Sequence, residues 1–130
     1  MTSLQILPVL AYGLAIASVV ATTLSAGTSR RGLWVVPAIA ATAFWVYSII
    51  TVLQDGLVQF WFNHTTTFSG NQVWFDLLLA VAICFFMIAP RARAANMRLW
   101  PWAVATIALA GLALLPMLAR LLYLEDRAQG

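Results

Sequence analysis

From Leu4 to about Ala26 the chain carries no charged side chain. A stretch of about 20 apolar residues is what an α-helix needs to cross the hydrocarbon core of a bilayer. The pattern recurs from Leu33 to about Leu57, from about Gln72 to Ala89, and from about Trp100 to Leu124. In hydrocarbon every backbone N–H and C=O must be satisfied inside the protein, so such runs fold as helices. The sequence therefore predicts an all-α protein, an integral membrane four-helix bundle with up-and-down antiparallel order, in a single transmembrane domain over 1–130. Composition agrees: 63% of the residues are hydrophobic and 8% charged, against about a quarter charged in a soluble domain.

The first run lacks the positive n-region of a secretory signal peptide and is long for an h-region, so it is expected to remain as a span. Orientation follows from seven arginines in a chain without lysine, net charge +3. Arg30 and Arg31 join the first two spans; Arg91, Arg93 and Arg98 join the last two. The connection from Val58 to Asn71 has neither Arg nor Lys. Under the positive-inside rule, loops 28–32 and 90–99 are cytoplasmic. Loop 58–71 and both termini are then periplasmic or extracellular, with Arg127 the one dissenting cation. Arginines confined to short gaps between apolar runs are topology determinants, which argues against nucleic-acid binding. Trp34, Trp100 and Trp102 fall at the expected inner boundary and Trp61, Trp74 and Tyr123 at the outer one, as amphipathic rings prefer.

Helix association in lipid relies on close approach of small residues. Gly13, Ala17 and Ala21 form such a stripe, with Ala38, Ala41 and Thr42 in the second span and Thr106, Ala110 and Gly111 in the fourth. Trp45 and Tyr47 lie near the middle of the second span. An indole N–H left unsatisfied in hydrocarbon is costly, so Trp45 is expected to face another helix or a bound molecule. Pro8, Pro37 and Pro101 fall in the first turns of their spans, where the missing N–H is harmless. Pro116 lies inside the fourth and should kink it, its freed carbonyl being satisfied by a neighbour.

Ionisable groups inside spans are functional-site candidates by default. Asp55 ends the second span, Asp76 begins the third and Arg120 nearly ends the fourth. The expected topology puts all three near the outer face, with His64 and Asn63 in the loop between the acids. This is the candidate polar cluster for ligand, partner or proton handling; the alternative is structural, with Arg120 pairing with an acid or snorkelling to the interface. Ser69-Gly70-Asn71-Gln72 resembles a capping box with Ser69 as N-cap. Phe60, Trp61, Phe62 and Phe68 make the outer loop aromatic enough to lie in the interface as a short helix, or to dock a partner. Asn63-His64-Thr65 matches a glycosylation acceptor, relevant only in a eukaryotic secretory setting. The lone His64 carries no metal pattern, and Cys84, the single cysteine, reads as a small buried or lipid-facing side chain.

From about Phe60 to Glu125 the chain resembles a family of small, uncharacterised bacterial inner-membrane proteins. The similarity rests on Asn71 to Asp76 (NQVWFD) entering a span, on Arg91, Arg93, Met97, Arg98 and Trp100 (RARAANMRLW), and on the closing LLPMLARLLYLE. The family has no assigned reaction, so the resemblance implies the inner membrane and no chemistry. Small multidrug transporters carry an acid in their first span, and quinone-linked thiol oxidoreductases carry paired cysteines; both features are missing here. The expectation is a non-catalytic accessory subunit of a larger membrane complex, binding partner helices (of other membrane-protein subunits or of further copies in a homo-oligomer), membrane lipid or a hydrophobic cofactor such as a quinone or carotenoid. Its Trp45, Tyr47, Trp61 and Trp74 are the candidate hydrophobic contacts. The alternative is a small transporter or membrane enzyme using Asp55, Asp76, Arg120 and His64.

Overall fold

The computed structural model describes residues 3–24 and 31–128; Arg30 lies outside them. The chain divides into two compact units, Met1–Arg30 and Arg31–Gly130. The first holds α1, Ser3–Leu24. Its hydroxyls do not stay free: Ser18, Thr22 and Thr23 each donate to the carbonyl four residues back, at 2.8 Å. This local bond lets a polar side chain sit in an apolar helix without a tertiary partner.

The second unit contains α2 (Val35–Thr65), α3 (Phe68–Ala94), α4 (Leu99–Leu109) and α5 (Gly111–Ala128). Three helices of the chain, α1, α2 and α3, are long and apolar enough to cross a membrane. α2 is interrupted at Gly56, whose φ of 77° and ψ of 160° suit only glycine. The stretch before the break is about 21 residues, or about 31 Å, one hydrocarbon thickness. The outer loop expected over 58–71 is mostly helix: α2 resumes after Gly56 and runs to Thr65, and α3 starts at Phe68. The cap of α3 is Thr67 rather than Ser69; its Oγ1 accepts from the Gly70 N–H at 3.0 Å. Gly70 is required by close approach, since a Cβ there would lie 3.0 Å from the Asn63 carbonyl oxygen.

The fourth apolar run is not the single span expected over 100–124. It breaks at Ala110, with φ of 48° and ψ of −120°, and the two pieces fold back as a hairpin. The direction is fixed by contacts along α5. Trp45 of α2 bonds Leu112 at the start of α5, and Trp34, just before α2, packs on Tyr123 near the end of α5. α5 is therefore antiparallel to α2, and it ends beside the end of α3, where Arg91 binds Glu125. The turn of the hairpin sits level with Trp45, about 15 Å from the start of α2 and so about half a hydrocarbon thickness.

α5 is the centre of this unit. The buried cluster is Ala92, Met97, Leu114, Met117 and Leu121, with Val81, Phe85, Ile88, Leu99, Trp102 and Leu124 packed around it. Met117 and Leu121 are 0% exposed. Ala113 and Ala119 are also buried, and such small side chains let helices approach closely.

Candidate functional site

Pro116 has no N–H, so the carbonyl four residues back, that of Leu112, loses its helical donor. The Trp45 indole Nε1–H donates to that carbonyl at 2.9 Å. One bond satisfies both groups: the indole expected to need a partner, and the carbonyl freed by the proline. Phe44 reaches the adjacent Gly111, where a Cβ would lie 3.6 Å from the phenyl ring. The middle of α2 is thereby clamped to the tip of the hairpin.

At one end of the unit, polar contacts tie three elements together. Arg91 grips Glu125 with two parallel bonds, Nε to Oε1 at 3.0 Å and Nη2 to Oε2 at 2.6 Å, the bidentate geometry that suits a guanidinium. The Gly32 N–H donates to Asp126 Oδ2 at 3.2 Å. Trp34 meets Tyr123 edge-on at 5.4 Å, and the Arg127 guanidinium lies 5.7 Å from the same tyrosine ring. Glu125 and Asp126 are not among the candidate residues read from the sequence. The signal that could have found them is charge balance: two acids ending a helix, in a chain whose arginines cluster in the connections.

The opposite end is aromatic. Trp74 of α3 packs edge-on against Trp61 at 6.0 Å and Phe60 at 6.1 Å. His64 lies 4.6 Å from the Phe60 ring, and its Nδ1–H donates to the Phe60 carbonyl at 2.8 Å, leaving Nε2 as an acceptor. Asn63 Oδ1 accepts from Gln59. Trp61 and Trp74, two of the expected contact residues, are thus in contact with each other. Tyr47 is 48% exposed on α2.

Arg120 is set apart from the rest of the candidate polar cluster. Asp55, Asp76 and Arg120 are all exposed, and among the described residues the one side-chain ion pair is Arg91 with Glu125. Arg120 sits on α5 between the Leu112 and Tyr123 contacts, which places it level with about Pro37. Asp55 is then about 25 Å further along α2. Asp76 begins α3 at the aromatic end, close to Trp74. The separation results from the fold-back: a continuous fourth span would have carried Arg120 to the outer face, whereas the hairpin returns it to the arginine end. Among the described residues no three His, Cys, Asp or Glu side chains converge as metal ligands. Cys84 is exposed on α3.

Comparison with family models, with characterised proteins and with solved structures gives no match.

Proposed function

We propose that this chain is a non-catalytic subunit of a larger membrane assembly, made of three spans and a half-depth helical hairpin. The observation that carries this reading is the separation of Arg120 from the two acids: it lies toward the opposite end of the unit, about 25 Å along α2 from Asp55. Polar groups that act together on a substrate must converge within hydrogen-bond reach of the reacting atoms, and Arg120 does not join the acids. The organised polar contacts serve instead to fasten helices: Arg91 to Glu125, Gly32 to Asp126, Trp45 to Leu112.

The outer face of the helices offers binding surface. Tyr47, Trp61 and Phe68 are exposed, in keeping with contacts to partner helices or to a hydrophobic cofactor such as a quinone or carotenoid. Orientation follows the positive-inside rule. The fold-back brings the end of α5, with Arg127, to the same end as Arg31, Arg91, Arg93 and Arg98, so the sole dissenting cation joins the rest. That end is cytoplasmic in this reading, and so is the C-terminal end of α5. With α1 as a span the N-terminus lies outside, and a bacterial inner membrane is the setting that the resemblance of the sequence would imply.

The test is extraction of the protein from its native membrane in a mild detergent, followed by native mass determination and an absorption spectrum. Co-migration with other membrane subunits, or with a coloured species, is expected. A colourless monomer that keeps its fold would overturn the subunit reading.

A further inference from the structure

A groove of about 720 Å³ runs between α3 and α4. Its walls are apolar, including Leu78, Val81 and Phe85 from α3 and Ala103 and Ile107 from α4, and it ends at Arg93. Two features of this groove are polar and unsatisfied. Arg93 is exposed and has no anionic partner among the described residues, although Arg91, two positions earlier, is held in a bidentate pair. Of the four acids in the chain, Glu125 and Asp126 are already engaged at this end, while Asp55 and Asp76 belong to the far end. Arg98, the residue before α4, adds a second cation at the same turn and makes no side-chain cap.

The second feature is Thr106, in the groove wall. It is 7% exposed, and its Oγ1 is the one buried side-chain polar atom without a hydrogen bond among the described residues. Six other threonines, 22, 23, 42, 51, 65 and 66, bond the carbonyl four residues back. Thr106 has the same option and does not use it. It lies seven positions into α4, about 10 Å from the arginine end, at the depth of an acyl chain.

We infer that the α3–α4 groove holds an anionic phospholipid, its phosphate on Arg93, with Arg98 close by, and an acyl chain that passes Thr106 along Phe85, Val81 and Leu78. A cation at the membrane interface attracts acidic headgroups, and basic pockets between spans are where such lipids lodge. The order cation, then apolar wall matches the order headgroup, then chain. This deepens the proposed reading by naming a ligand for one face; it rests on the bilayer assignment and not on the partner subunit.

The experiment uses the full chain, purified, delipidated and titrated with phosphatidylglycerol or with phosphatidylcholine of matched acyl chains, binding being read by native mass spectrometry. Phosphatidylglycerol is expected to bind more tightly, and Arg93→Gln to reduce that preference by about fivefold. Arg127→Gln is expected to leave it unchanged, and so is Thr106→Val, which lies at the depth of the chain and not of the headgroup. Equal binding of the two lipids, or a preference that survives Arg93→Gln, overturns the site. Should Arg93→Gln misassemble, a photoreactive phosphatidylglycerol on the wild-type protein decides: adducts on 78–93 and 103–110 support the site, and adducts elsewhere overturn it. A monomeric chain would defeat the subunit reading while leaving this lipid preference standing, so the two failures are distinguishable.

Discussion

α2 and the α4–α5 run look alike as sequences. Each is an apolar stretch of about 25 residues, each has a proline in its first turns, and each is broken once at positive φ. They differ in where the break falls and in the path of the chain beyond it. In α2 the break at Gly56 comes after a full hydrocarbon thickness of helix, so the segment beyond it, Leu57 to Thr65, meets α3 through an aromatic cluster. In the other run the break at Ala110 comes after 11 residues of α4, and the rest returns to the starting end. Run length and hydropathy thus define how much helix there is, while the position of one backbone break and its partners define where that helix goes. At the half-way break the partners are in place: Trp45 on the Leu112 carbonyl, and Glu125 and Asp126 waiting for Arg91 and Gly32.

The largest expected effect is all-or-none. In a Cys84→Ser background, a single cysteine replacing Ala128 should react with a membrane-impermeant maleimide from the same side as one replacing Asn96. Labelling from opposite sides would mean that the fourth run crosses after all, and the contrast with α2 would vanish.

Next comes Gly56→Ala. A side chain at φ of 77° and ψ of 160° is expected to cost about 1–3 kcal/mol, measured by unfolding in mixed micelles. Unchanged stability would show that the chain straightens there at no cost.

Trp45→Phe removes the donor to the Leu112 carbonyl and is expected to destabilise by about 1–2 kcal/mol. Combined with Pro116→Ala, which restores the helical donor to that carbonyl, the loss should shrink. Additive effects in this double-mutant cycle would sink the idea that the two residues serve one bond.

The smallest change has the opposite sign. Ala110 adopts a φ of 48°, a region glycine enters without steric penalty. Ala110→Gly is therefore expected to stabilise the hairpin by about 1 kcal/mol, seen as a higher midpoint in the same unfolding assay. A lower midpoint would show that the alanine methyl contributes more through packing than it costs in strain.

Much of the helical layout is legible in the sequence. The apolar runs locate α1, α2 and α3 but not all their ends: the second is expected to stop at about Leu57 and α2 runs to Thr65, and the third is expected from about Gln72 to Ala89 and occupies Phe68–Ala94. The needs of Trp45 and of the Pro116-freed carbonyl are both legible, because an unpaired polar group in hydrocarbon is expensive wherever it sits. That one group answers the other is not, since 67 positions separate Trp45 and Leu112 in the chain. The candidate cluster of Asp55, Asp76 and Arg120 fails for a related reason. It assumes that distance along the fourth run equals depth in the membrane, and Ala110 breaks that equality. Ala110-Gly111 followed by Pro116 is a visible breaker signal, yet hydropathy counts all three as harmless.

By itself, then, the sequence determined that the protein is helical and apolar, and where its three long apolar helices have their centres. These follow from hydrogen-bond saturation in lipid and from side-chain transfer costs, which are local properties. Only the tertiary structure decided that the last run folds back, that α5 rather than α2 or α3 is the packed centre, and that Arg91 is satisfied while Arg93 is left open to the groove. Those outcomes depend on which carbonyl, carboxylate or methyl group another helix brings within reach, and that geometry is written in no single segment.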